Sequence, residues 1–167
     1  QDDPSEDRSS VYLIFERLNT GGTPLKPQEI RACVYPGELN HLLAELSQTE
    51  KWLQLFGKPS KHGKDQELIL RFFALLERQD DYERPMKAFL NSFMEQNRSL
   101  TQARKDALRD TFSRSVDLAI ATLGAKAFRP ERNLNVALTD ALLVGIARRL
   151  VSGPVTDEDA LTGAYTR

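Results

Sequence analysis

The chain has 167 residues, 40% of them apolar and 28% charged, with 23 Lys and Arg against 24 Asp and Glu. That is enough for one compact domain, because a chain of about 150 residues buries roughly 70% of the surface it would expose unfolded, and the composition lies well away from the disordered range. The net charge of -1 removes the simplest electrostatic case for a nucleic-acid coat, and no run approaches the ~18 uninterrupted apolar residues of a membrane span.

The start, Gln1-Asp2-Asp3, is too acidic and polar to read as a signal peptide. One cysteine, Cys33, excludes an internal disulfide framework and a Cys-based zinc site, and fits a reducing, cytoplasmic setting. The chain opens on Gln1 rather than Met, and it stops at Arg167 in the first turns of what reads as another helix. Both ends read as cuts in a longer protein. The expected division is a junction segment over 1–35 and a helical bundle over 36–167.

Seven or eight helical segments are predicted, and no strand. Val11, Ile14, Phe15 and Leu18 place a helix over about Ser5 to Leu18, with Asp3 or Ser5 as cap. Asn19-Thr20-Gly21-Gly22 ends it. Pro27 stands where a first helical residue belongs, followed by Gln28 and Glu29, and this short helix stops before Pro36. Leu39, Leu42, Leu43 and Leu46 give the next apolar stripe, and Ser47-x-x-Glu50 is a capping-box pattern ahead of Trp52, Leu53, Leu55 and Phe56. Gly57 to Gly63 is the clearest loop.

Asp65 to Arg78 carries the broad apolar face of a core helix, and Arg84 to Gln96 follows with Met86, Phe89, Leu90, Phe93 and Met94. Thr101 to Leu123 is the longest helix, closed by Gly124. Leu134 to Val151 is apolar nearly all round and is expected at the centre of the bundle. After Gly153-Pro154, Thr156 is expected to cap a final helix. The fold class is all-α, an irregular bundle.

The chemistry-bearing residues are sparse. His41 and His62 belong to no metal-ligand or acid-base pattern, and no nucleophile turn or phosphate loop is present. No catalytic set and no metal site are legible. Cys33 reads as a buried, inert thiol on the apolar side of its helix, and Asp65 as a solvated or capping carboxylate. Asp140, within the apolar Leu134–Val151 helix, either occupies its one exposed face with Thr139 or is buried against a partner such as an Arg.

Charge is uneven. Between Gln96 and Leu150 ten Lys and Arg face five Asp and Glu. Arg104, Lys105 and Arg109 share one side of the long helix, and Lys126, Arg129 and Arg132 lie in the loop after it. This surface suits phosphates or an acidic partner, or is a solvated face with i,i+4 support. Aromatics do not interleave with these bases, which argues against single-strand binding.

The most distinctive segment is Phe15-x-Arg17-x-Asn19-x-Gly21-Gly22-x-x-Leu25-x-x-x-Glu29-Ile30-Arg31. Asn19 beside two glycines leaves backbone N–H groups uncovered, and Arg17 and Arg31 flank them, an arrangement that suits an anion. By local physics alone Asn-Thr-Gly-Gly reads first as a helix C-cap, and Glu29 as a partner for a helix N-terminus.

This segment resembles one shared by the GmrSD-type restriction and phage-defence family, whose N-terminal domain is ParB/sulfiredoxin-like. The stretches Asp65 to Ala74, Phe89 to Met94 and Asn133 to Ala141 resemble that family's helical half in the same order. The family's nucleotide-processing half carries an Asp-Gly-Gln-Gln-Arg signature, which does not occur here, and nothing matches the His-Asn-His-type nuclease domain of several relatives. The resemblance therefore implies a helical portion that is not catalytic by itself. Its partners would be a ParB-like N-terminal half and a nuclease domain or DNA, without a membrane. No cofactor is implied for this chain, and a nucleoside triphosphate with magnesium for the intact protein. Arg17, Asn19, Gly21, Gly22 and Arg31 would lie near the nucleotide phosphates. The alternative is a stand-alone helical module that binds nucleic acid or protein through Arg104, Lys105, Arg109, Lys126, Arg129 and Arg132.

Overall fold

Apolar spacing of three and four residues does produce helices throughout. A computed structural model describes residues 8–19, 24–129 and 133–153, apart from the side chain of Ser9. Among these residues lie eight α-helices, a single 3-10 turn at Gln79–Asp81 and no strand. The helices are α1 (Arg8–Leu18), α2 (Pro27–Val34), α3 (Glu38–Ser47), α4 (Glu50–Phe56), α5 (Lys64–Arg78), α6 (Met86–Gln96), α7 (Gln102–Leu123) and α8 (Val136–Val151). None of the described helices is long and apolar enough to cross a membrane. The helix expected from Thr156 lies outside the described residues.

Local chemistry sets the boundaries. Pro27 opens α2 where an N–H would have no partner, and Glu29 Oε2 accepts the Lys26 backbone N–H at 2.7 Å. Thr101 Oγ1 accepts from Arg104 N at 3.2 Å to start α7, and Asn135 Oδ1 accepts from Leu138 N at 3.1 Å to start α8. Gly124, at φ +74°, ends α7 in the left-handed region that favours glycine.

The capping box expected at Ser47-x-x-Glu50 does not form. Ser47 is the last residue of α3, where its hydroxyl donates to Ala44 O at 2.8 Å, and Thr49 takes the N-cap position of α4. The Leu stripe carries α3 one residue past the expected end, so the serine is consumed as a helical residue.

The core is aromatic at its centre. Trp52 is fully buried, with its ring centroid 5.4 Å from that of Phe112, 5.8 Å from Phe56 and 6.1 Å from Phe128. Phe72 and Phe73 of α5 close the cluster from the other side. Each such side chain contributes roughly 1.5–3 kcal/mol of burial.

The central helix is α5 rather than α8. α5 packs against α2, α3, α6 and α8, whereas α8 packs on α5 and α7 and leaves Ala137, Ala141 and Gly145 exposed. The composition of α8 misleads because its small residues count as apolar yet bury little area.

Three side chains also depart from their sequence readings. Cys33 is exposed, because α2 buries the face formed by Gln28, Ile30, Arg31 and Val34. Asp65 is buried, with Oδ2 accepting from Ser60 N at 3.0 Å and Oδ1 from Gln66 N at 2.9 Å, so it ties down the 57–63 loop. Asp140 is not on an exposed face with Thr139, which is itself buried. It is held by Arg71 of α5, whose Nε lies 3.1 Å from both carboxylate oxygens and whose Nη2 also donates. Burial alone would lower the Arg71 pKa, but hydrogen bonding and the charge of Asp140 raise it above the ordinary value.

Candidate functional site

The junction between α1 and α2 is closed by one side chain. Asn19 Nδ2 donates to Leu25 O at 2.9 Å, and Leu25 N donates to Asn19 Oδ1 at 2.9 Å. The carboxamide thus pairs with both backbone groups of one residue and pins the far end of the turn, while Asn19 N continues the helix by donating to Phe15 O at 3.0 Å. Arg17 projects from the exposed side of α1. Gly21 and Gly22 lie outside the described residues.

Arg31 does not flank this turn as a free cation. It is 1% exposed, its Nε donates to Gln28 Oε1 at 2.8 Å, and its Nη2 donates to Glu67 of α5. Burial pushes its pKa down, opposed chiefly by the Glu67 charge. Tyr12 of α1 lies in the same buried polar region, and burial raises its phenol above the ordinary value. Arg31 therefore fastens α2 to α5.

The expected basic surface is largely neutralised within the fold. Arg104 pairs with Glu77 and Lys105 with Glu38. Arg109 donates from Nε to Glu45 Oε1 at 2.7 Å and from Nη2 to Glu45 Oε2 at 3.0 Å. This fork holds Glu45 below the usual carboxylate range and raises Arg109. Arg129 Nη1 donates to Leu55 O at 2.7 Å, which secures the loop after α7 to the end of α4. Lys126 is exposed, and Arg132 lies outside the described residues.

Two features were not read from the sequence. Along α1, the Val11 end of the stripe packs on the core, but Ile14 is 55% exposed, Phe15 46% and Leu18 75%. Leu13 and Leu25 are exposed nearby. The sequence carried the stripe but not the fact that the bundle leaves most of it uncovered. The second feature is a pocket of about 350 Å³ where the start of α2 meets the 57–63 loop and the start of α5. Its walls include Lys26, Gln28, Ser60, His62, Lys64 and Glu67. Only the lysine-rich loop hinted at it, since the walls come from segments distant along the chain.

Among the described residues no group of three His, Cys, Asp or Glu is placed to hold a metal. No family model, curated protein or solved structure matches this chain.

Proposed function

We propose that the chain is the helical part of a protein resembling the GmrSD-type restriction and phage-defence family. It would receive a ParB-like half on α1, help that half hold a nucleotide, and relay the bound state to a nuclease or another partner. The bundle performs no catalysis itself.

The observation that carries this reading is the uncovered apolar face of α1. Three large side chains of one eleven-residue helix, Ile14, Phe15 and Leu18, stand in solvent in a row. They adjoin the Asn19-clamped turn on which the family resemblance rests. A stripe of this kind beside the Asn19–Leu25 pairing suits a permanent neighbour in the same protein. A route for the relay would run through the ion pairs that start at α2, where Arg31 meets Glu67 of α5 and Arg71, one turn further along α5, meets Asp140 of α8. Arg104, Lys105 and Arg109, each already facing a carboxylate, give no corresponding support to a nucleic-acid surface.

The test begins with the open reading frame around residues 1–167. An Asp-Gly-Gln-Gln-Arg segment on a β-rich stretch upstream is the expected result. In that intact protein, nucleoside triphosphate with magnesium should raise the melting temperature, and Ile14→Asp/Leu18→Asp should abolish the rise without unfolding the bundle. A frame without such a segment, or a nucleotide response indifferent to the α1 variants, would overturn the reading.

A further inference from the structure

The pocket between α2 and α5 is lined by two lysines and by a buried glutamine whose amide N–H₂ has no partner, and these groups point to the kind of ligand it can take. One carboxylate, Glu67, lines its wall, and a second, Glu29, stands behind it. Glu29 accepts the Lys26 backbone N–H at 2.7 Å and lies 3.3 Å from His62 Nδ1, and Glu67 accepts from Arg31. Ser60 Oγ likewise accepts from His62 N at 3.2 Å and Lys64 N at 3.1 Å.

Donors remain on the other side of the account. Lys26 and Lys64 are exposed, and neither ammonium forms an ion pair among the described residues. Gln28 is 2% exposed. Its Oε1 is taken by Arg31 Nε, and its Nε2 is a buried donor with no hydrogen-bond partner. A buried amide N–H₂ without an acceptor is costly, and native structures rarely keep one without a reason. The N-termini of α2 and α5 both meet at this pocket, so two positive helix ends add to the lysines.

The unpartnered Gln28 donor and the two lysines favour an anionic ligand over a cation. We propose that this pocket binds the phosphoryl group of a small ligand, with Lys26 and Lys64 as its charge clamp and Gln28 as the inner donor. The volume of about 350 Å³ falls in the range of roughly 300–1,000 Å³ found for small-molecule sites, and accommodates more than a single phosphate. The walls are preformed: Asp65 and Ser60 fix the loop, and Glu29 with His62 links it to α2. This proposal concerns the isolated chain and does not depend on a ParB-like half.

Isothermal titration of the chain with inorganic pyrophosphate, ATP and adenosine tests it. Pyrophosphate and ATP should bind and adenosine should not. Tighter binding of ATP than of pyrophosphate would identify a nucleotide, and equal binding a bare phosphoryl site. Lys26→Ala/Lys64→Ala, both at exposed positions that leave the fold intact, should weaken binding at least about tenfold, because charge-assisted hydrogen bonds to phosphate are the strong ones. Lys51→Ala/Lys126→Ala, which removes the same formal charge away from the pocket, should leave it unchanged. Absence of binding at millimolar pyrophosphate, or equal losses in the two double variants, would overturn the proposal. Neither result would bear on the docking face of α1, which is read in the intact protein.

Discussion

Arg31 of α2 gives its guanidinium to Glu67 of α5 although the arginine is almost wholly removed from solvent. Glu67 is still partly exposed, so the pair spans the boundary between the core and the α2–α5 pocket. Glu67→Ala strands a buried cation and should lower unfolding free energy by about 3–5 kcal/mol in urea melts. Arg31→Met/Glu67→Ala should recover much of the loss, since an apolar replacement removes the charge that needs a partner. Equal stability of the single and double variants would contradict this account.

Asn19 offers a smaller, local effect. Asn19→Ala removes two hydrogen bonds to Leu25 at a partly exposed site, and should cost about 1–2 kcal/mol in the thermal stability of the chain alone. A loss that appears only in the presence of nucleotide would mean that the residue serves a ligand rather than the turn.

Gly37 sits at φ +152°, and a Cβ placed there would lie 2.4 Å from the Arg98 carbonyl oxygen. That carbonyl also accepts the Glu38 N–H at 2.7 Å, joining the start of α3 to the turn before α7. Gly37→Ala should therefore destabilise by roughly 1–3 kcal/mol through backbone strain and displacement of this contact. Gly145→Ala, in open space on α8, should be neutral or slightly stabilising. Denaturant midpoints of the two variants compare them directly.

Acid should weaken the fold by protonating carboxylates that accept from a helix cap or from a neighbouring helix. Glu29, Glu38 and Glu45 all titrate below the ordinary value of 4.5 in the folded chain, held down mainly by the Lys26 N–H, Lys105 and Arg109 respectively. A carboxylate lowered in the folded state stabilises it above the unfolded pKa, and that contribution is lost as pH falls through the folded value. The melting temperature should thus fall below about pH 4.5, and Glu45→Gln should flatten part of the decline. These side chains are largely solvated, so added salt should shrink the effect. A melting temperature constant down to pH 3 would refute the assignment.

Much of the architecture was legible in local pattern. The stripes of α5 and α7, Pro27 at the head of α2, and Gly124 at the end of α7 each reflect chemistry within a few residues of itself, and each appears where the spacing predicts. Errors arose where a local rule had a close competitor. Ser47 satisfied a capping pattern but fell within the preceding helix, and Ala141 of α8 counted as apolar without being buried. The Asn19 turn was recognisable as a helix end, but its closure on Leu25 was not.

The amino-acid sequence alone determined that this chain is a helical bundle, because helix periodicity and end signals act over one or two turns. Only the tertiary structure decided which charges are shared and which remain available. Arg31, Arg71 and Arg109 find Glu67, Asp140 and Glu45 on other helices, while Lys26 and Lys64 are left over at a common pocket. The physical reason is that an ion pair depends on the distance between two side chains after the helices have docked, and no spacing along the chain encodes that distance.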